Sequence, residues 1–400
     1  MSEQVLRIAA RGDGVTASGR FVAGAAPGDR VEDGKVVERG EHYQEPPCRH
    51  FPECGGCQLQ HLDDAAYAEF VSGRVAAALD QHGLSTTLRP AHLSPPCTRR
   101  RASLKAMKTA RKVLIGFNEQ RSHRIVDMLE CHVLAPELFT IIEPLRGLLA
   151  KMMAPKRPGA VQLSLTDQGV DVGLSGVEAE GLEAAEALID FAREHALARL
   201  SIDEGFGLET RYEPRPVTVT LSGTAIPFPA GSFLQATSDG EEALVAAVRD
   251  AIGDAKGRVL DLFAGLGTFA CAIASAERPV SAAEAGRDAA LSLKAGAARA
   301  GLPVAVEHRD LYRRPYDPSE LEDVAAVILD PPRSGAEAQC AALSGSNVPT
   351  VAYVSCNPAT FARDAEQLVK GGYRLQWVQP VGQFRWSTHV ELAAAFTRQA

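Results

Sequence analysis

The chain has 400 residues, 46% of them apolar and 23% charged, and a formal charge of −8. That is too long for one ordinary core, so about two to four domains are expected. No apolar run approaches the ~20 residues of a membrane span, and the opening MSEQVLRIAARGDG lacks the apolar stretch of a secretory signal. A cytoplasmic monomer with no membrane partner is expected. In that reducing compartment, eight cysteines point to metal binding or catalysis rather than disulfides.

In chain order, residues 1–40 carry short β-type runs (VLRIAA, GRFVAG, DRVEDGKVVE) broken by Gly, Asp and Pro. They read as a small β-barrel-like module. A cysteine-rich loop occupies residues 41–62, and a helix is expected from about Asp63 to Gly83, with acids at its start and glycine at its end. Between Gln81 and Asn118 there is no acid, while Arg89, Arg99, Arg100, Arg101, Lys105, Lys108, Arg111 and Lys112 are basic. Such a run is either a solvated face or a strip that meets phosphate. The runs VLIGFN, VQLSL, VDVGL and VTVTL then suggest an α+β middle domain around an antiparallel sheet, giving 41–230 as its range.

From residue 231 to 400 the texture changes. GEEALVAAVRDAIG reads as a helix, and RVLDLFA, VSAAEA, VAVEHRD, AAVILDPP and VAYVSCNP recur as apolar strands, mostly separated by helices. That alternation is an α/β pattern and predicts a doubly wound, mainly parallel sheet. Ligands gather at the carboxyl ends of such strands, where this chain places DLFAGLGT, AEA, EHRD, LDPPR and SCNP.

Gly265, Gly267 and Ala270 in GLGTFA fit a nucleotide-type strand-to-helix turn loosely. Glu284 ends the next strand, 17 residues beyond Gly267, where a carboxylate can accept from ribose hydroxyls. Asp330 runs into two prolines, a rigid and donor-poor loop. Cys356 sits at a strand end before a helix, whose amino terminus could lower its pKa. Cys271 and Cys340 read instead as small buried hydrophobes.

The stretch CRHFPECGGC sets Cys48, Cys54 and Cys57 in a C-x5-C-x2-C pattern. Three residues compete for the fourth position. His61 would complete a Cys3His zinc site, Cys131 would give the four thiolates of an iron–sulfur cluster, and Cys97 is a third candidate.

The motifs LDLFAGLGTF, LDPPRSG, VSCNPATFARD and the late HVE resemble, in order and spacing, those of the S-adenosylmethionine-dependent RNA uracil-5 methyltransferases. CRHFPECGGCQLQHL and RIVDMLECHVLAPEL resemble the family's iron–sulfur motifs, and ARGDGVTASGRFVAGAAPGDRV resembles a shortened TRAM module, an RNA-binding β-barrel. The resemblance touches most of the chain and is weakest in the middle domain. It implies a Rossmann-like methyltransferase domain that methylates uracil C5, with 23S ribosomal RNA favoured over transfer RNA by the two amino-terminal features. A non-catalytic iron–sulfur RNA-binding protein is the rival from outside the enzymes. The family's nucleophile matches Cys356 and its base matches Glu391. Its cofactor positions match Gln235, Phe263, Glu284 and Asp330, with Asp310 on the adenine side. Its last cluster ligand matches Cys131, which makes a structural [4Fe–4S] cluster on Cys48, Cys54, Cys57 and Cys131 the implied group. The pattern departs from the family's at Thr237, Thr268 and Gly382.

Overall fold

The computed structural model describes residues 2–399. Strands Glu3–Ile8, Gly14–Thr16, Phe21–Val22, Arg30–Glu32 and Lys35–Glu38 form a five-stranded antiparallel sheet. Its core is small: Val5, Val22, Ala25 and Val31. The cysteine loop follows as a series of turns. Helix Asp64–Gln81 begins where its acids predict, with the Asp63 carboxylate accepting from the Ala66 amide at 2.8 Å. An N-cap of this kind satisfies one of the four orphan donors of a helix start. Gly83 closes the segment at φ 64°, a left-handed conformation that glycine adopts without strain.

The middle sheet has six strands in the order Leu208–Tyr212, Arg199–Asp203, Gly169–Ser175, Pro158–Thr166, Arg101–Lys108, Val113–Gly116. It is antiparallel except where Gly169–Ser175 runs parallel to Arg199–Asp203. Helices Ile142–Met152 and Leu182–Glu194 bury Leu145, Leu149 and Leu188 in its core. The run VTVTL lies outside this sheet. Strands Thr218–Leu221 and Thr224–Pro227 make a separate hairpin, packed on helix Arg287–Arg299 through Ile226. Alternation in sequence identifies a strand but not the sheet that receives it.

The largest sheet has nine strands. Val304–His308, Val280–Glu284, Arg258–Leu262, Val324–Leu329 and Thr350–Ser355 are parallel, and Glu391–Arg398 and Tyr373–Gly382 follow as an antiparallel pair. Thr87–Leu88 and His92–Leu93, from the segment expected in the middle domain, join the edge beside Tyr373–Gly382. Gly382 has its reason here, because a Cβ at that position would come within 2.9 Å of the Leu93 side chain. One face is covered by helices Ser238–Ile252, Thr268–Ile273 and Arg287–Arg299, the other by Glu337–Ser344, Pro358–Lys370 and Asp64–Gln81. The strand order reverses between Arg258–Leu262 and Val324–Leu329, which opens a crevice at their carboxyl ends. No helix among the described residues is long and apolar enough to cross a membrane.

Candidate active site

A cavity of about 730 Å³ opens at that reversal point. Gln235, Phe263, Glu284, Asp310, Asp330, Cys356 and Glu391 all line it. Seven residues spread over 157 positions of sequence therefore reach one space, because five of them sit at or just beyond carboxyl ends of the parallel strands and Glu391 begins the antiparallel strand beside them.

The glycine turn forms one wall. Gly267 stands at φ 89°, and a Cβ there would collide with the Leu293 side chain, whereas a Cβ on Gly265 would meet open space. The Glu284 carboxylate accepts from the amides of Gly265 at 2.8 Å and Gly286 at 2.6 Å. Each oxygen keeps a further lone pair for a ligand hydroxyl. Phe263, held at φ 64°, packs its ring 5.5 Å from that of Tyr312. Asp310 accepts from the Tyr312 amide at 3.0 Å, which orders this aromatic corner. An exposed glycine backbone, a carboxylate and an aromatic pair suit the adenosine part of S-adenosylmethionine.

Gln235 is fixed by a relay. Gln383 accepts from the Ala236 amide through Oε1 at 3.0 Å, so its Nε2 must point the other way. That Nε2 donates to Gln235 Oε1 at 2.8 Å, and the Gln383 side chain favours the charged form of Glu391. The Gln235 amide group is thereby left facing the cavity as a donor. Thr237 caps helix Ser238–Ile252, its hydroxyl accepting from the Gly240 amide at 3.1 Å.

Asp330, Cys356 and Glu391 form the opposite wall, and the electrostatics there depart from expectation. Burial, then the charges of Glu391 and Asp330, push the Cys356 thiol up to about 11. The shift is upward, opposite to the expected depression, because desolvation and two facing carboxyls outweigh Arg333 and a backbone hydrogen bond. Burial and Asp330 push Glu391 up to about 8, and burial with Glu284 pushes Asp330 up to about 7. The three groups compete for negative charge, so their protonation states are linked.

Further residues line the cavity, of which the sequence offered Arg101 only as part of the basic run and Arg333, Phe384 and His389 not at all. Arg101 faces the cavity with its guanidinium 4.4 Å from the ring of Phe233, which is 60% exposed. Arg333, Phe384 and His389 stand at the mouth, with the last two rings edge-to-face at 5.9 Å. Arg333 and His389 lie within motifs the sequence did offer and Phe384 just before one, but nothing in residue type alone marks these three.

The basic run divides on folding. Arg100 is not on a free face, since it pairs with the buried Glu241 at 2.6 Å and donates to the Gln235 carbonyl at 3.1 Å. Lys112 pairs with Asp127, and Arg99 lies against Phe117 and Phe384 near the cysteines. Arg101 enters the cavity, and Lys105 remains exposed.

Cys48, Cys54, Cys57 and Cys131 line a second, small cavity with Gln60, Phe117 and Met128. Burial raises all four thiols, Cys54 to about 11 and Cys57 to about 12. Glu130 ties the two segments together by accepting from the Arg49 amide at 2.6 Å. His61 turns away towards the Ala25 carbonyl at 3.4 Å, and Cys97 is exposed. Among the described residues no three His, Cys, Asp or Glu side chains are grouped closely enough for a single metal ion. One zinc would draw its sulfurs in to about 2.3 Å from a common point. A four-iron cluster holds each thiolate on a different iron and so accepts a wider ring. Cys271 and Cys340 are buried at 6% and 0% exposure, as small hydrophobes.

Comparison with known proteins gives a consistent family. The family model for tRNA (uracil-5-)-methyltransferases matches residues 307–399. An uncharacterized RNA methyltransferase of Zymomonas mobilis is 49% identical, covering 99% of this chain and 100% of the relative. A 23S rRNA uracil-C5 methyltransferase of Chromohalobacter salexigens is 36% identical over 94% of this chain and 84% of its own length. Among solved structures, the Pyrococcus abyssi tRNA (uracil-54, C5)-methyltransferase with S-adenosyl-L-homocysteine has a TM-score of 0.78 at 22% identity. It covers 99% of this chain and 100% of that one, and shares its fold.

Proposed function

The chain belongs to the S-adenosylmethionine-dependent RNA uracil-5 methyltransferase family, and we propose that it methylates a uridine of 23S ribosomal RNA through a covalent adduct on Cys356. The observation that carries this reading is the single cavity shared by Cys356, Glu391 and the five cofactor-type positions. The 23S relative, alike over 94% of the chain, supports ribosomal RNA over the transfer RNA named by the family model for residues 307–399.

Uracil C5 is a weak nucleophile, and addition of a thiolate to C6 gives it enolate character. The Cys356 thiol first loses its proton, and the linked carboxyls set the pH at which it does so. Its sulfur then bonds to C6. S-Adenosylmethionine, when bound, supplies an electrophilic methyl group. Gln235, Phe263, Glu284, Asp310 and Asp330 hold it beside the base. The C5 carbanion equivalent would take that methyl with release of S-adenosylhomocysteine, and with hydrogen and methyl both on C5, Glu391 takes the C5 proton. The C6–S bond breaks and the thiolate leaves. A carboxyl pushed to about 8 is a stronger base than an ordinary glutamate and is matched to work near neutral pH.

A [4Fe–4S] cluster on Cys48, Cys54, Cys57 and Cys131 belongs to the same proposal. Four thiols that line one small cavity, with His61 and Cys97 turned elsewhere, support it. Bound there, it would cross-link the loop 48–57 to Cys131.

The test uses unmodified 23S and transfer RNA transcripts with methyl-labelled S-adenosylmethionine. Wild type should label 23S RNA at a uridine C5. Glu391→Gln should accumulate a labelled protein–RNA adduct stable to denaturing electrophoresis, and Cys356→Ala should form neither adduct nor product. Methylation by Cys356→Ala would overturn the nucleophile, and labelling of transfer RNA alone would overturn the substrate.

A further inference from the structure

Beside the cavity lies a groove of about 460 Å³. Strand Arg101–Lys108 connects the two. Side chains alternate along a strand, so Arg101, Ser103 and Lys105 share one face. Arg101 lines the cavity, while Ser103 and Lys105 line the groove. The face runs about 13 Å from Arg101 to Lys105 at a strand's rise per residue. Ala102, Leu104 and Ala106, on the other face, are buried in the middle core.

The groove has two more cations. Arg11 comes from the turn after the first amino-terminal strand, and Arg121, at φ 57°, from the turn beside the cysteine loop. Arg11, Lys105 and Arg121 are exposed, and among the described residues none of them is in an ion pair. The groove's one acid, Glu119, is already paired with Arg124 at 3.1 Å. Thr388, adjoining His389 at the cavity mouth, closes the near end. The groove thus adjoins the site where a nucleotide would react, and its charge is positive.

The wall bearing Arg121 is anchored to the cysteine loop. The Gly55 amide donates to the Asn118 carbonyl at 2.9 Å, and the Gln120 amide to the Glu53 carbonyl at 3.2 Å. From the same loop, the amides of Gln58 and Leu59 both donate to the Trp386 carbonyl, at 2.8 and 2.9 Å. One loop therefore braces both the groove and the turn that leads to Glu391.

We propose that this groove binds the phosphate backbone of single-stranded RNA flanking the target nucleotide, with Arg11, Lys105 and Arg121 as phosphate ligands. The inference rests on the reading of the cavity as an RNA uridine site. Three unpaired cations of one sign beside the cavity match the regular negative charge of a backbone and carry no base code.

The probe is a single-stranded oligouridine, whose binding does not depend on which RNA is the natural substrate. For wild type and for the triple variant Arg11→Ala, Lys105→Ala, Arg121→Ala, affinity is measured against salt. Three lost phosphate contacts should reduce the slope of log K against log salt by about 2, at ~0.7 per contact for single strands. S-Adenosylmethionine affinity should hold, which shows that the variant is folded. The matched removal of three exposed charges, at Lys151, Arg157 and Arg193, should leave the slope in place. An unchanged slope in the groove variant, or an equal loss in the matched one, overturns the proposal. Methylation of 23S RNA by wild type is scored separately. If it fails while the slope still falls, the substrate assignment is wrong and the groove stands.

Discussion

Gln383 shows how much one side chain can decide. Its orientation is dictated by a backbone donor, Ala236 N–H, which admits only an oxygen. Two consequences follow: Nε2 meets Gln235, and the Gln235 amide turns to the cavity. Gln383→Met keeps the bulk and removes both polar ends. The Ala236 amide is then orphaned, and Gln235 can rotate. Loss of one such net hydrogen bond, at about 0.5–1.5 kcal/mol, predicts a roughly two- to tenfold weaker S-adenosylmethionine affinity by calorimetry. Because the Gln383 side chain holds Glu391 down, its loss should move the acidic limb of the kcat profile to higher pH. A residue that merely filled space would lower stability and leave that limb in place.

At the scale of elements, the motif helices act as clamps. Asp364, in helix Pro358–Lys370, is fully buried and accepts through one oxygen from the Tyr353 hydroxyl and the Ala336 amide, both at 2.6 Å. It thereby fastens the end of the LDPPRSG loop to the strand that delivers Cys356. In Asp364→Asn the amide nitrogen faces either the Tyr353 and Ala336 donors or the Arg363 guanidinium, which in wild type donates to the other carboxylate oxygen at 2.6 and 2.8 Å. A buried donor left without a partner costs about 1–3 kcal/mol, to be read as a lower urea midpoint with an unchanged m value. The cysteine loop is the other clamp. Cys131→Ala should abolish the brown colour and iron content of anaerobically purified protein. Hydrogen exchange should then rise at 54–59 and at 384–388, since the loop's amides are bonded to Trp386. A colourless wild-type protein, or exchange unaltered in the variant, would remove the cluster and its bracing role respectively.

Over the whole molecule, the site places unfavourable charge where the sheet reverses. Asp261, wholly buried beneath the glycine turn, is pushed up to about 8 by burial, and Glu391 and Asp330 stand at about 8 and about 7. Each exceeds its unfolded value near 4, so the folded chain binds more protons than the unfolded chain between about pH 4 and 8. Stability contributed by these groups is complete below about pH 4 and is lost as pH rises through 7 to 8. The thermal midpoint should therefore fall across that range. Glu391→Gln, which cannot ionise, should flatten the fall. A variant that tracks wild type from pH 6 to 9 would sink the claim.

Motif chemistry was legible in the sequence because it is local. A strand running into Gly-x-Gly, Asp-Pro-Pro or Ser-Cys-Asn-Pro states its own turn, and alternation of such strands with helices states the parallel sheet. The residues Gln235, Phe263, Glu284, Asp310, Asp330, Cys356 and Glu391 could be named from those stretches together with a family likeness. What long-range packing controls was not legible. The edge strands at 87–93 and the loss of Arg100 to Glu241 depend on partners more than 100 residues away, and the hairpin at 218–227 is placed by its packing on helix Arg287–Arg299. The thiol of Cys356 went the same way: its helix was written beside it, but the two carboxyls that raise it arrive from other strands. Sequence spacing determines which groups the chain carries; desolvation and like-charged neighbours, which come together only on folding, decide their charge.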